Sequence, residues 1–421
     1  MRGFLASSIG VTCLAALALP LAQPTGARAT TPAAPAAPAA PGAPAAAAPS
    51  VPGSTQSLPL SPLSTDRSLP PGAQEQGLSR RDVRPFSLVG VVWDDPAVEL
   101  DGQVQVRTRA TATASWSGWQ DVETHNHEHA ADPGSDERES GRVRGSTAPL
   151  WVGDSDAVEV RVSAPPHDSV RGMLPAGLRL ELVDPGNEPA ATRSVPESAV
   201  VPESAEVLPE ESAAAERARP YTAPRPRVVT RWGWGADERL RQGGFAYAKS
   251  VRAAFVHHSG TGNNYRCSQA PSVIRGIYRY HVKSSGWRDI GYNYLVDKCG
   301  NVYEGRAGGV TKAVLGAHTL GFNSNTMGVA VLGTFSRSNP PAAAVNAVAK
   351  VTAWKLGLFG ANPRGKTYLT SGGGNLYRKG KKVRLNVISG HRDGFVTDCP
   401  GARLYGKLGT VRGSAARLQG R

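Results

Sequence analysis

The sequence has few cysteines and only one long apolar run. Among its 421 residues there are 4 cysteines, and one of them, Cys13, lies within the apolar run 4–21. No later segment is apolar enough to span a bilayer, which excludes a chain with several membrane spans. The run follows Arg2 and precedes a small-x-small motif ending at Ala29, so residues 1–29 are predicted to be a secretory signal peptide. The alternative for this run is an uncleaved membrane anchor.

Removal of a signal peptide would leave an odd number of cysteines. The mature chain would keep Cys267, Cys299 and Cys399. A free thiol in an exported protein tends to oxidise or to mispair, so the odd count needs an explanation. A disulfide between Cys267 and Cys299, together with a metal-bound Cys399, would account for all three. The alternative is that they are small buried hydrophobic residues.

Acidic residues are scarce in the second half of the chain. Residues 226–421 contain 30 Lys and Arg against 7 Asp and Glu, a formal charge of +23 within a total of +14, so residues 1–225 carry −9. A segment this basic attracts polyanions such as nucleic acid, anionic lipid or the acidic polymers of a bacterial wall. Predicted export favours the wall, and the absence of a recognised nucleic-acid-binding motif disfavours nucleic acid.

Composition and periodicity divide the rest of the chain into four parts. Residues 30–82 are rich in Ala, Pro, Ser and Gly and are predicted to be a disordered spacer, because such a stretch cannot offset its ordering entropy. Residues 83–184 contain short alternating apolar runs, which predict a β-rich, sandwich-like domain. Residues 185–225 are a predicted Pro/Glu/Ala-rich linker. Residues 226–421 alternate strand and helix patterns, with helices predicted at residues 271–282 and 341–358, which indicates an α/β domain with a mixed sheet covered by helices.

Two features of the β-rich region are open to a functional interpretation. Trp116, Trp119 and Trp151 could form a carbohydrate-facing platform, although rings at such positions more often serve in core or edge packing. The run HNHEH at residues 125–129 has an alternate spacing that would put three imidazoles on one face of a strand, where they could bind a metal. Because Asp-Pro-Gly follows at residues 132–134, a mobile surface loop is the favoured interpretation.

Three side chains of the α/β region have the chemistry of a zinc site. His257, His391 and Cys399 lie in the segments VHHSG, SGHRD and TDCPG. Neutral imidazole and thiolate suit Zn²⁺, and three protein ligands leave a fourth position for a reactive water. A structural zinc would normally have a fourth protein ligand, and none is evident nearby in the sequence. The set therefore predicts a catalytic zinc.

Eight short motifs follow one another between residues 227 and 412. They are WGWGADE, VHHSG, GWRDIGYNYLVD, GNVYEGR, GAHTLGFN, GVAVLGTF, SGHRD and TDCPG. In this order they resemble the motifs of the peptidoglycan recognition protein and zinc amidase family. The β-rich region also resembles the module that precedes such amidases in some exported bacterial proteins. The resemblance implies that His257, His391 and Cys399 hold zinc. It further implies hydrolysis of the amide between the lactyl group of N-acetylmuramic acid and L-alanine in peptidoglycan.

The resemblance also implies roles for other residues. Tyr292 matches the family's catalytic tyrosine, and Thr397 takes a position that is Lys or Thr in active relatives, where its hydroxyl could donate to the oxyanion. His318 and Asn323 match positions that line the muropeptide cleft. Arg306 is a candidate anion contact or, alternatively, ties a loop to a carboxylate. No glutamate stands out as a general base.

These observations predict a secreted, cell-wall-associated zinc amidase whose partner is peptidoglycan. A hairpin-like insertion at residues 366–384 is either a contact for anionic wall polymers or a solvated hairpin. Its cationic side chains are Lys379, Lys381, Lys382 and Arg384. The alternative function is recognition of peptidoglycan without cleavage. Cys399 and Tyr292 disfavour it, because non-catalytic relatives generally lack the zinc cysteine.

Overall fold

The computed structural model describes residues 53–63, 75–124, 126–164, 173–187 and 221–421. The predicted signal peptide and most of the predicted spacer and linker lie outside the described residues. None of the helices in the described part of the chain combines the length and apolar character needed to cross a bilayer. All five stretches belong to one compact unit, Pro49–Arg421.

The N-terminal region forms, among the described residues, one eight-stranded antiparallel sheet. Its strands are β1 (Ser54–Pro59), β2 (Ser61–Pro62), β3 (Glu75–Trp93), β4 (Gln103–Ala110), β5 (Gln120–Val122), β6 (Gly145–Ser146), β7 (Leu150–Ser163) and β8 (Arg179–Asp184). The strand order is β1-β8-β3-β7-β4-β5, and β2 and β6 pair with β3. The long strands β3 and β7 have register shifts, which bend strands, and they enclose an apolar core rich in Val and Leu. The prediction of a β-rich region is confirmed.

Part of the predicted disordered spacer is folded. β1 and β2 lie within residues 30–82, and β1 pairs with β8 along its whole length, from Ser54 to Pro59. Leu60, between the two strands, is buried in the core of the sheet. The prediction was wrong here because an edge strand is held by backbone hydrogen bonds, which do not require apolar side chains.

The three tryptophans of this region contact other protein groups. Trp151 is buried and belongs to the apolar cluster beneath the first helix of the α/β region. Trp116 and Trp119 are half-buried, and the Arg107 guanidinium lies 5.8 Å and 4.8 Å from their ring centres. Aromatic faces attract guanidinium cations at these distances, so packing accounts for the three rings.

The C-terminal region, within the residues described, combines a six-stranded mixed sheet with four α-helices and a separate hairpin. The sheet contains β9 (Val228–Val229), β10 (Ala253–His258), β11 (Tyr294–Val296), β12 (Val302–Glu304), β13 (Thr326–Val331) and β16 (Ile388–Gly390), in the order β16-β10-β13-β11-β12-β9. β14 (Lys366–Thr370) and β15 (Lys382–Asn386) form the hairpin. The helices are α1 (Ala270–Arg279), α2 (Ala342–Leu358), α3 (Ala402–Tyr405) and α4 (Leu408–Leu418). The predicted fold class is confirmed.

Strand β10 lies between two layers of side chains. All six of its residues are buried, as expected for an inner strand covered on both faces. Ala254 and Val256 belong to the core shared with α2, whereas Ala253 and Phe255 belong to a cluster on the opposite face. Because side chains alternate along a strand, His257 points away from α2 at the carboxyl end of β10.

The β-rich region packs directly on helix α1. Leu88 of β3 shares one apolar cluster with Ile277 of α1. Just beyond α1, the Tyr280 hydroxyl donates to the Thr147 carbonyl at 3.1 Å. Gly90 leaves room for that ring, since a Cβ at position 90 would lie 2.4 Å from the Tyr280 oxygen. This buried contact places the loops of the β-rich region beside the carboxyl end of β10.

Candidate metal centre

Two adjacent parallel strands bring His257 and His391 together. β10 and β16 pair in a register that sets Val256 opposite Gly390. His257 follows Val256, and His391 follows Gly390 at the start of a 3₁₀ turn, so the two imidazoles leave the same edge of the sheet. Their ring centres are 4.6 Å apart.

Cys399 returns to the same edge through a short loop. The Arg392 amide donates to the Cys399 carbonyl at 3.0 Å, which closes the loop that begins at His391. The Cys399 Sγ then lies 3.8 Å from Nδ1 of His257. The three residues predicted to bind zinc therefore converge in space.

A fourth side chain, His129, enters this cluster from the β-rich region. The candidate ligand atoms of His129, His257, His391 and Cys399 all lie within 4.8 Å of one another, and all four side chains are buried. Nε2 of His129 is 3.6 Å from the Cys399 Sγ. In a tetrahedral zinc site with Zn–S near 2.3 Å and Zn–N near 2.1 Å, sulfur and nitrogen ligands are separated by roughly 3.6 Å. The Cys399 Sγ lies at about this distance from His129, at 3.6 Å, and from His257, at 3.8 Å.

The protonation states of the cluster suit a metal cation. Burial, reinforced by the neighbouring histidines, lowers the pKa of His129, His257 and His391 well below the usual histidine range, so the imidazoles are neutral. Nε2 of His391 has no hydrogen-bond partner among the described residues. Burial raises the pKa of the Cys399 thiol well above its ordinary range, so a thiolate there requires an adjacent cation. The donor set fits zinc.

Tyr292 and Thr397 lie next to the four donors. The Tyr292 ring centre is 5.5 Å from that of His257, and burial raises the pKa of its hydroxyl well above the usual range, so it remains protonated. The Thr397 hydroxyl donates to Oε1 of Glu128 at 2.7 Å and accepts from the Cys399 amide at 3.1 Å. Its proton is thus committed to a carboxylate from the β-rich region.

His318 lies behind His257 and is wholly buried. Their ring centres are 5.3 Å apart. Nδ1 of His318 is 3.0 Å from the Thr319 hydroxyl oxygen, and Nε2 is 3.4 Å from the Thr326 hydroxyl oxygen. Burial, with a contribution from Arg306, lowers the pKa of His318 to about 3. The imidazole supports His257 from behind, and both of its nitrogens already have partners.

Asn323 and Arg306 bind residues of the β-rich region. The Asn323 amide donates to the Ala130 carbonyl at 2.8 Å and to Oδ1 of Asp132 at 2.7 Å. The Arg306 guanidinium forms two hydrogen bonds with the Glu137 carboxylate, at 2.8 Å and 2.9 Å. Burial alone would raise the pKa of Glu137, but Arg306 lowers it below its ordinary value. This arrangement agrees with the alternative prediction for Arg306, in which the side chain ties a loop to a carboxylate.

The other two cysteines of the described residues form a disulfide. Cys267 and Cys299 are bonded, with their Cα atoms 6.1 Å apart, and they join the turn before α1 to the turn after β11. Cys399 is free and buried. The alternative of three unpaired hydrophobic cysteines is therefore wrong.

Residues 126–137, which we name the upstream segment, are buried against the metal centre at several points. His129 is 4% exposed, and the Leu320 amide donates to the Glu128 carbonyl at 2.8 Å. His127 is half-buried and faces Glu99, with Nε2 2.9 Å from the carboxylate. Position 125 lies outside the described residues. The prediction of a mobile surface loop was wrong, because docking on α1 carries the segment into the cleft.

Two family profiles match the chain. Residues 38–199 match the one described as Rv3811 N-terminal galactose-binding domain-like, and residues 247–402 match N-acetylmuramoyl-L-alanine amidase. Peptidoglycan-recognition protein SC2 of Drosophila simulans is 31% identical over 185 residues, which cover 44% of this chain and 85% of that protein. The chain belongs to the peptidoglycan recognition protein and amidase family.

Two further proteins align over the same share of this chain. Human N-acetylmuramoyl-L-alanine amidase is 34% identical over 192 residues, which cover 44% of this chain and 28% of that protein. Among solved structures, Drosophila PGRP-LB aligns at 23% identity with a TM-score of 0.35, over 44% of this chain and 93% of the other. Membership supports peptidoglycan recognition or amidase-type hydrolysis as the class of function.

Within this family member, the four donors come from two differently matched parts of the chain. His257, His391 and Cys399 lie inside the amidase match at residues 247–402, whereas His129 lies inside the galactose-binding-like match. Sequence reasoning therefore missed His129, since the family motifs do not extend to it. The available signal was the dense imidazole run itself, whose alternate spacing is compatible with metal binding.

Proposed function

We propose that this protein is an exported, zinc-dependent N-acetylmuramoyl-L-alanine amidase. Its substrate would be peptidoglycan, and the bond cleaved would be the amide between the lactyl group of N-acetylmuramic acid and L-alanine. The observation that carries the proposal is the convergence of His257, His391 and Cys399 at one sheet edge, inside the residues that match the amidase profile. Two imidazoles and a thiolate are donors that zinc prefers.

The chain's own residues supply the polar groups that amide hydrolysis needs. A zinc ion held by these donors would polarise the scissile carbonyl and lower the pKa of a water molecule. Tyr292, protonated and beside His257, would donate a hydrogen bond to the oxygen that gains negative charge. Thr397, two residues before Cys399, would offer a second hydroxyl donor once its proton is released from Glu128. His257 and His391, as neutral imidazoles, would bind the ion without changing the total charge of the site.

The proposal is tested by metal content and peptide release, measured on the same preparations. Cys399→Ser replaces the only free thiol of the described residues with a weak ligand. We expect loss of bound zinc, and at least a hundred-fold loss of peptide release from purified cell wall. Mass spectrometry of the released peptides should find a free L-alanine amino terminus. Full activity in this variant would contradict the assignment.

Tyr292→Phe is the matched companion variant, because it removes one hydroxyl and leaves all four candidate ligands in place. We expect normal zinc content and a rate about 10²–10³-fold lower, which is the effect of removing one oxyanion donor in other enzymes. A variant with unchanged rate would show that the hydroxyl has no part in turnover.

Export and wall contact belong to the same proposal. Peptidoglycan lies outside the cytoplasmic membrane, and the predicted signal peptide would deliver the protein there. The cationic side chains of the β14–β15 hairpin are exposed, which suits contact with anionic wall polymers. They are Lys379, Lys381, Lys382 and Arg384.

Recognition of peptidoglycan without cleavage is the second candidate function. The observation that favours it is the presence of His129 among the donors, because metal sites with four protein ligands are usually structural. Under this hypothesis the wild-type chain and every cleft variant would bind wall and release no peptide. Peptide release by any form of the full chain would exclude it.

A further inference from the structure

His129 completes a four-donor set at a site that otherwise has three ligands. Catalytic zinc sites keep one coordination position open for water or substrate, whereas closed tetrahedral sites are structural. With Nε2 of His129 3.6 Å from the Cys399 Sγ, the imidazole would occupy the position that an open site leaves for the reacting water. A metal ion held by all four donors would therefore be closed to substrate.

The rest of the upstream segment occupies the polar groups that surround the donors. Glu128 accepts the Thr397 proton at 2.7 Å. Asp132 accepts from the Gly321 amide at 2.8 Å and from the Asn323 amide at 2.7 Å. Three of the residues assigned to catalysis or substrate contact thus have partners in the segment, including Arg306, which pairs with Glu137.

These contacts have the form of a bound acidic peptide. The segment presents carboxylates at Glu128, Asp132 and Glu137, each accepting hydrogen bonds from the α/β region. The stem peptide of peptidoglycan also carries carboxylates next to amide bonds. A hydrogen-bond donor of the α/β region that is bound to the segment cannot at the same time bind a stem peptide. The segment and an acidic stem peptide therefore compete for the same cleft.

The segment can leave without unfolding the region that carries it. The β-rich region is anchored elsewhere, through the cluster that joins Leu88 to Ile277 and through Tyr280. Residues 126–137 themselves contain no helix or strand. Opening the cleft requires that the side-chain contacts of the segment break, together with the hydrogen bonds that the Glu128 and Ala130 carbonyls accept, while the anchor on α1 remains.

We propose that the protein is held in a state of low activity by its own upstream segment, with His129 as a displaceable fourth metal ligand. The inference rests on the proposed amidase function. In the closed state His129 blocks the open coordination position and three carboxylates fill the cleft. In the open state the segment has left, and the donors are His257, His391 and Cys399 alone.

The test uses the full-length chain with Co²⁺ in the site, because cobalt reports its coordination in the visible spectrum. The probe is acetohydroxamate, a small chelator that needs an open position. We expect no spectral change when the probe is added to the wild-type protein, and a saturable change in His129→Ala. Asp136→Ala, at an exposed position of the same segment, is the control and should behave like the wild type. An equal response of wild type and His129→Ala would overturn the proposal.

Peptide release from purified wall is the second readout. We expect His129→Ala to release peptides at least ten-fold faster than the wild type at equal metal content. If His129→Ala shows the spectral response but releases no peptide, the closed site is supported and the amidase function is excluded. If the wild type is fully active and also binds acetohydroxamate, the amidase function is supported and the closed site is excluded. Slower release by His129→Ala at normal metal content would show that the segment completes the active site instead of closing it.

A second variant guards against loss of the metal in His129→Ala. Asp132→Ala removes the contacts with Gly321 and Asn323 and leaves all four donors in place. We expect unchanged metal content, a partial spectral response to acetohydroxamate and release several-fold above wild type. If Asp132→Ala also matches the wild type in both readouts, the segment does not restrain the site.

Discussion

His257 and His258 are adjacent in the chain and have different roles, because strand alternation sends them to opposite faces of β10. His257 faces the metal centre, where its Nδ1 lies 3.8 Å from the Cys399 Sγ. His258 has partners at both ring nitrogens: Nε2 is 3.0 Å from Glu123, and Nδ1 accepts from the Phe335 amide at 3.2 Å. The second imidazole therefore holds neighbouring segments together and has no free nitrogen for a metal.

The pair formed by Arg306 and Glu137 predicts a pH-dependent stability. Both side chains are buried, and the folded-state pKa of Glu137 lies below its ordinary value of about 4.3. A lowered carboxyl pKa contributes stability above the unfolded pKa, and the contribution is lost as the pH falls through the folded pKa. Glu137→Gln should therefore lower the free energy of unfolding at pH 7 by about 3 kcal/mol, since it leaves Arg306 buried without its counter-charge.

Urea unfolding of wild type and Glu137→Gln at pH 7 and near pH 3.5 measures this effect. The difference between the two proteins should shrink on acidification, because the wild-type carboxyl then becomes protonated as well. Glu139→Gln, an exposed carboxylate on the adjacent turn, is the control and should change little at either pH. A difference that stays constant or grows toward acid would contradict the pairing.

At the scale of elements, the contact between β3 and the turn after α1 determines where the upstream segment lies. Gly90 of β3 has no room for a side chain, since a Cβ there would lie 2.4 Å from the Tyr280 oxygen. Gly90→Ala should lower the free energy of unfolding by roughly 1–3 kcal/mol, the usual effect of overpacking a core. Thermal and urea unfolding measure it.

Gly118→Ala is the matched control for this element contact. A Cβ at position 118 would have nothing within 4 Å, so we expect almost no change in stability. Equal effects of the two substitutions would mean that loss of glycine flexibility, and not the Tyr280 contact, dominates. Gly90→Ala should also loosen the upstream segment, which hydrogen exchange at residues 126–137 can follow.

Elements rich in apolar residues were predictable, and elements held by backbone pairing were not. The predicted helix at residues 341–358 is α2, Ala342–Leu358, whose many alanines favour a helix and which is buried along most of its length. The predicted helix at residues 271–282 is α1 followed by a wider turn, Tyr280–Ser284. β1 escaped prediction because its pairing with β8 leaves no apolar signature in the sequence.

The same reasoning explains which parts of the site could be predicted. His257, His391 and Cys399 belong to motifs that the chain shares with its family, so local patterns were enough to select them. The position of His129 depends on how one domain docks on another, and no local pattern records that contact. From the sequence, a histidine in a polar run beside Asp-Pro-Gly is expected to lie in a solvated loop. Only the packing of Leu88 against α1 changes that expectation.

At the scale of the whole molecule, positive charge is concentrated in the α/β region. The β14–β15 hairpin contributes exposed cationic side chains to it. Lys381→Gln combined with Lys382→Gln should reduce retention on walls that carry anionic polymers by several-fold at low salt. The effect should disappear near 1 M salt, where the Debye length is about 3 Å. Retention on purified walls at a series of salt concentrations measures it.

The control for the hairpin removes the same charge elsewhere. Arg403 and Lys407 are exposed near the carboxyl terminus, and their double replacement by Gln lowers the net charge equally. We expect retention close to wild type. Equal loss in the two double variants would indicate that overall charge, and not the hairpin, governs contact with the wall.

His129 belongs to the same chain as the α/β region that its side chain enters, and this covalent connection affects how well soluble ligands can compete with it. A ligand tethered by a short flexible linker competes at an effective concentration on the order of millimolar. Muropeptide fragments dissolved at micromolar levels would therefore rarely displace it, whereas an intact wall offers stem peptides at a very high local density. Soluble fragments in the surrounding medium would therefore not activate the protein. Contact with a continuous peptidoglycan layer would activate it.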